Sequence, residues 1–181
     1  MNTLALRTGL AALALSLSFM AQAQTPRYAP APKELLQFVL KMNPAPEGVK
    51  TYYSCAWLDL NSDGVEEAIL WSPSNSIGRL FEGGNRYDGF AVYQKAGAGY
   101  KLIGGGLYAR DADQIAVLKT RNGKWLDLAS YKFYSGDKKN QRDNYWYRCR
   151  FGGRGYASEE NIMKSVPKVR INSAKAPSYL L

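Results

Sequence analysis

Apolar residues recur along this chain with two different periods, and the change falls close to residue 51. From Lys33 to Met42, Leu35, Leu36, Val39 and Leu40 stand at helical spacing, with Lys33, Glu34, Gln37 and Lys41 on the other side. Pro32 suits a helix start and Pro44 closes the segment, so the pattern predicts one short amphipathic helix with its stripe against a core. From Tyr52 the period is two. Strands are predicted over 52–59, 66–71, 89–95, 99–104, 114–119, 124–134 and 144–151, each rich in Tyr, Trp, Val, Ile or Leu and bounded by Gly, Asn, Asp or Ser. Lys95-Ala96-Gly97-Ala98-Gly99 and Arg121-Asn122-Gly123-Lys124 read as hairpin turns. Along 145–151, Tyr145, Tyr147, Cys149 and Phe151 share one face while Arg148 and Arg150 share the other, the pattern of a half-buried antiparallel strand. Residues 157–164 read as a helical turn or two, and the chain after Val166 as irregular. The expected fold is mainly β: an antiparallel meander, a reduced propeller-like or sandwich domain with one short N-terminal helix.

The first residues change where that domain is expected to work. A short start with one cation, Arg7, precedes an apolar run from Gly9 to Met20 and then Ala21-Gln22-Ala23. The order predicts an export signal cleaved after Ala23, because the run is too short to span a bilayer. No Cys follows the cleavage point to carry a lipid anchor. The mature chain is then expected in the periplasm or outside the cell, with residues 24–32 (QTPRYAPAP) extended and 33–181 forming a single β-rich domain.

Export gives meaning to the cysteines and the charge. Cys55 and Cys149 are the two cysteines, and an even pair in an oxidising compartment predicts a disulfide. Closing so long a loop would restrict the unfolded chain by roughly 4–5 kcal/mol. Without the first 23 residues the chain keeps 23 Lys and Arg against 15 Asp and Glu. The excess lies late: Lys119 to Lys175 holds 14 basic and 5 acidic residues. Such a balance favours acidic partners, and export turns that preference away from nucleic acid and towards an acidic protein surface or envelope glycan.

One segment carries candidate chemistry: Trp57-Leu58-Asp59-Leu60-Asn61-Ser62-Asp63-Gly64-Val65-Glu66-Glu67-Ala68-Ile69-Leu70. Ca²⁺ takes six to eight oxygen ligands, and this spacing curls Asp59, Asn61 and Asp63 round one point, with Gly64 at the sharp turn. Val65 offers its carbonyl and Glu67 closes the set. Leu70 stands where an EF-hand needs its bidentate Glu, and the flanks alternate like strands. Strand–DxNxDGxxE–strand resembles the calcium loop of FG-GAP/VCBS (integrin-type propeller) repeats, and the chain is similar to single-domain exported bacterial proteins with one such loop. The resemblance implies a stabilising Ca²⁺ on a turn between adjacent strands. Weaker echoes follow in Asn122-Gly123-Lys124-Trp125-Leu126-Asp127-Leu128 and in Phe151-Gly152-Gly153-Arg154-Gly155-Tyr156.

Enzyme signatures are sparse. The chain has no His, which removes the usual general base and most zinc sites. Gly104-Gly105-Gly106 lacks a phosphate-loop Lys and reads as a bulge or turn, and the Asp111/Asp113 pair has no distinguishing spacing. No catalytic residue is assigned. The stretch from Ser72 to Asp88 is long for a hairpin connection and offers Arg79, Phe81, Arg86 and Tyr87 for contact with a partner. Arg148 and Arg150, grouped with exposed tyrosines, would make a second interaction face. The functional expectation is a periplasmic, non-enzymatic binding protein, an inhibitor or immunity-type partner of a cell-wall-active enzyme. The alternative is a calcium-stabilised envelope module that binds glycan or an anionic outer-membrane surface.

Overall fold

The computed structural model describes residues 25–45, 47–73, 89–108, 115–132, 145–163, 167, 170–171 and 176–181. Their elements run β1 (Arg27–Tyr28), α1 (Lys33–Met42), β2 (Tyr52–Leu58), β3 (Glu67–Trp71), β4 (Gly89–Ala96), β5 (Gly99–Tyr108), β6 (Ile115–Asn122), β7 (Trp125–Lys132), β8 (Tyr145–Phe151), β9 (Tyr156–Ile162) and β10 (Tyr179–Leu180). The strands form one curled mixed sheet, a half-barrel, in the order β1-β2-β3-β4-β5-β9-β8-β7-β6, with β10 pairing β2 beyond β1. The fold is therefore mainly β with one short helix, built as a single sheet and not as two packed ones.

Two antiparallel meanders, β2 to β5 and β6 to β9, meet at their fourth strands. That seam is the parallel pair β5–β9, with Gly104 opposite Tyr156. Glycine is required there by space: a Cβ on Gly104 would stand 2.9 Å from Tyr156 Cβ, and one on Gly155 would stand 2.7 Å from the Ile103 carbonyl oxygen. The Gly104-Gly105-Gly106 run is thus neither turn nor phosphate loop but an irregular, bulged stretch of β5, where the meanders close on each other.

Side-chain parity divides the interior. Leu58, Leu60, Ile69, Trp71, Phe90 and Val92 of the first meander meet Leu126, Leu128, Cys149 and Tyr156 of the second in one concave core. A main-chain bond joins the two halves inside it, the Leu126 N–H donating to the Leu60 carbonyl at 2.7 Å. The alternate residues of the first meander, Tyr53, Cys55, Trp57, Ala68, Leu70, Ala91 and Tyr93, form the convex face, which α1 covers with Leu35 and Val39. Burial on both faces explains why β2 and β3 read as nearly unbroken apolar runs. Among the described residues, the second meander's convex face holds a small cluster, Ala116, Ala129 and Trp146, with Leu118, Tyr131 and Met163 beside it.

Three expectations are corrected. The Cys55–Cys149 disulfide is not formed: both thiols are free and buried, Cys55 under α1 and Cys149 in the concave core. The sheet itself separates those two clusters. Cys149 Sγ instead lies 3.6 Å from both Ser130 Oγ and Ser158 Oγ. Second, residues 157–162 of the segment read as helical lie in strand β9, because pairing with β8 on one side and β5 on the other outweighs a short helical preference lacking its own apolar stripe. Third, the tail is not irregular throughout: Tyr179 and Leu180 pair with β2, Arg170 bridges to Ala116, and Ile171 is fully buried.

No helix among the described residues is long and apolar enough to cross a membrane. The expected export signal lies outside the described residues, as do the contact candidates Arg79, Phe81, Arg86 and Tyr87.

Candidate functional site

Two polar features stand on this scaffold, and both start from the same four residues, Trp-Leu-Asp-Leu, at 57–60 and at 125–128. In each copy the leucines face the concave core. The Asp between them therefore lies on the convex side, by strand alternation.

In the first copy Asp59 opens the turn between β2 and β3. Its Oδ1 accepts the N–H groups of Asn61 (3.3 Å) and Asp63 (3.2 Å), and its Oδ2 accepts that of Gly64 (2.9 Å). Asn61 Oδ1 accepts the Asp63 N–H at 2.9 Å, and Asp63 Oδ1 accepts the Val65 N–H at 2.8 Å. Short oxygen side chains bind backbone two to five residues on, and so wind the turn. Ser62 at φ 60° and Gly64 at φ 84° supply the left-handed backbone that the winding demands. The side chain of Val65 is exposed.

Glu67 stands apart from that ring. It belongs to the inward row of β3 with Ile69 and Trp71 and is fully buried. Its Oε2 accepts the Leu60 N–H at 2.8 Å, while Oε1 accepts Asn61 Nδ2 (3.0 Å) and Gln94 Nε2 (3.2 Å). Burial raises its pKa to about 7, against the bond from the Leu60 N–H; the charges of Asp63 and Asp59 push further upward. The five expected metal ligands thus divide: Asp59, Asn61, Asp63 and Val65 lie on one turn, whereas protein donors occupy both oxygens of Glu67. No group of three acidic, Cys or His side chains among the described residues is placed to hold a metal ion. Beside the turn, Arg27 Nε donates to Glu66 at 2.9 Å and the Arg27 guanidinium lies 5.3 Å from the Trp57 ring centre.

In the second copy the chain continues as strand through Asp127, which is fully buried. Thr120 Oγ1 donates to its Oδ2 at 2.7 Å. The β7–β8 register places Asp127 across from Arg150 and diagonal to Arg148. Their Nε atoms lie 3.7 Å from Oδ1 and 4.0 Å from Oδ2 respectively, within ion-pair range but beyond hydrogen-bond length. Asp127 Oδ1 and both Nε atoms are buried without any hydrogen-bond partner among the described residues. Arg150 Nη1 reaches Glu159 at 2.9 Å, while no hydrogen bond of the Arg148 side chain is found among the described residues. Both arginines are partly exposed on the convex face, where Arg170 also lies 5.3 Å from the Trp146 ring centre. Lys119, Arg121, Lys124 and Arg154 are exposed on the strands and turns of the same meander.

The alternation along 145–151 had placed Arg148 and Arg150 on one face, and the structure keeps them there. The buried carboxylate under them was not assigned. Its signal is the Trp-Leu-Asp-Leu repeat: an Asp inside a strand-like run, with a period-two face of cations on the following strand, marks a charge-pairing position.

No protein-family model matches the chain, and neither a curated protein nor a solved structure matches it.

Proposed function

We propose that this chain is a non-enzymatic binding protein of the periplasm, and that its partner is a protein with an acidic surface, an inhibitor- or immunity-type target such as a cell-wall-active enzyme. One observation carries the reading: the convex face of the second meander presents cations where the first meander carries a helix. Arg148, Arg150 and Arg170 lie on it, and Lys119, Arg121, Lys124 and Arg154 are exposed elsewhere on the same meander. Of the described acids on this meander, Asp127 is buried and Glu159 is bound to Arg150. A rigid sheet bearing such a field attracts an acidic partner quickly and orients it on arrival. The test immobilises the mature chain, residues 24–181, and identifies what it retains from periplasmic extract. The expected result is an acidic protein that salt elutes and that a variant with Lys119, Arg121, Lys124 and Arg154 all changed to Ala fails to hold. Retention of nothing, or retention indifferent to that variant, refutes the reading.

The β2–β3 turn supports a second proposal, a calcium-stabilised element in an envelope-binding module. Asp59, Asn61 and Asp63 supply the hard oxygen donors that Ca²⁺ takes, and Asp59 Oδ2, Asn61 Oδ1 and Asp63 Oδ1 each keep a lone pair beyond a single backbone bond. Glu67 does not fit as the closing ligand, since three protein donors already hold it. Calcium would add only stability there, as any ligand bound by the folded form alone does. Melting with Ca²⁺ and with chelator decides: a Tm that Ca²⁺ raises, and that Asp63→Ala makes indifferent to Ca²⁺, supports the ion. An unchanged melt leaves a turn closed by its own hydrogen bonds.

A further inference from the structure

Half-buried guanidinium groups in folded proteins are normally satisfied, because five N–H donors taken from water must find acceptors. Arg150 meets part of that demand: its Nη1 reaches Glu159 at 2.9 Å, while its Nε has no hydrogen-bond partner among the described residues. For Arg148 no side-chain hydrogen-bond partner is found among the described residues: its side chain is 32% exposed, its Nε is buried without an acceptor there, and the nearest described carboxylate oxygen stands 4.0 Å away. Asp127 cannot close that gap by itself. Thr120 holds its Oδ2 at 2.7 Å, its strand position faces Arg150, and its buried Oδ1 also lacks a hydrogen bond. The carboxylate therefore fixes the charge and direction of Arg148 without using up its donors.

The geometry points to Arg148 as the anchor of the acidic-partner site, gripping a carboxylate of the partner protein with Asp127 as its positioning residue. The inference rests on the binding reading above and names the contact within it. Three features choose a carboxylate. A planar guanidinium matches a carboxylate in two parallel hydrogen bonds, a fit that a lysine ammonium does not offer. Among the described residues of this face Asp127 and Glu159 offset two of the three arginines Arg148, Arg150 and Arg170, so the face keeps a positive surplus for a carboxylate to meet. The surroundings also suit a protein: Trp146 and Tyr131 pack on this face with ring centres 5.4 Å apart, and Arg, Trp and Tyr are the residues that most often anchor protein interfaces.

The test uses the mature chain and a fluorescein-labelled hexaglutamate peptide, with binding read by anisotropy at low salt. The wild type should bind, and Arg148→Ala should weaken binding by about tenfold, as loss of a charge-assisted pair requires. Arg148→Lys, which keeps the charge and most of the packing, should weaken it nearly as much because the fork is lost. Changing Lys124 and Arg154 to Ala should cost less, roughly threefold or under, and lower the salt dependence. Matching melts of wild type and Arg148→Lys keep the comparison valid if the Ala variant folds poorly. Equal binding by wild type and both Arg148 variants, with loss in the Lys124/Arg154 variant, overturns the anchor and leaves the acidic-partner reading standing. No binding by the wild type overturns both. Phosphate displacing the peptide at lower concentration than glutarate, or Arg148-dependent retention on phosphatidylglycerol vesicles without peptide binding, overturns the carboxylate assignment.

Discussion

Glu67 gives a measurement with little background. Its folded pKa of about 7 lies above the ordinary 4.5, so between those values the folded chain holds a proton that the unfolded chain has released. Stability from this group is complete below about pH 4.5, declines as pH rises, and is gone above about 7. At about 1.4 kcal/mol per pH unit, that gap comes to about 3 kcal/mol. For a chain of this length that is roughly 10 °C in Tm. Burial is the cause: a fully buried carboxylate loses more hydration than its bonds from the Leu60 N–H, Asn61 and Gln94 restore. The chain has no His, so apart from the α-amino group no ordinary side chain titrates in this window. The assay is thermal melting from pH 5 to 7.5 in chelator, for the wild type and for Glu67→Gln. The wild type should lose stability with rising pH, while the neutral amide should melt at a nearly constant temperature. A wild-type Tm that is flat or rises over this range, or a Glu67→Gln slope equal to the wild type's, refutes the reasoning.

Three further outcomes follow from the packing. Gly104→Ala should destabilise by about 1–3 kcal/mol in chemical denaturation, since a Cβ there would lie 2.9 Å from Tyr156 Cβ across the seam. An unchanged midpoint would mean that the two meanders do not close as described. Both thiols should be silent to a thiol reagent in the folded protein and react fully in guanidinium, because burial pushes Cys55 and Cys149 upward and keeps them from forming thiolate. A disulfide found by mass spectrometry of the native protein would contradict the separation of the two clusters. Tyr156→Phe should cost about 1–2 kcal/mol of unfolding free energy, because its buried hydroxyl donates to the Leu126 carbonyl at 2.6 Å; a neutral substitution would show that this bond adds nothing to the seam.

Much of the fold was legible where local patterning and tertiary demand agree. The 33–42 helix and the strands from 52 to 151 follow their periodicity because each sends residues of at least one face into a core, β5 and β6 over only part of their length. The misreadings fall where long-range pairing decides. Strand β9 carries Ala157, Ser158 and Glu159, which have little apolar alternation of their own, and it becomes a strand only through β8 and the Gly104 seam. Cysteine parity suggested a staple, but parity says nothing about which face of the sheet each side chain takes. The turn at Asp59 was legible down to its winding residues. The inward direction of Glu67 was not, because it depends on counting outward from Ile69 and Trp71, whose place in the concave core only the assembled sheet reveals.

The two meanders set the same residue on the same face and resolve it differently, and that difference connects fold to function. Asp59 ends its strand, so its oxygens find backbone N–H groups in a turn, and the convex side of its meander remains apolar enough for α1 to cover. Asp127 stays within its strand, where the sheet bonds occupy the backbone and its charge must be met from the side. Two arginines from the next strand meet it, each too distant to hydrogen-bond. A face built round a buried charge cannot accept an apolar helix, because covering Arg148 and Arg150 would strip their remaining hydration without supplying acceptors. Among the described residues no helix covers the second meander's convex face, and the side chain that orients its cations disfavours one. The acidic partner proposed above would meet that demand, because a surface lined with carboxylates brings acceptors of its own.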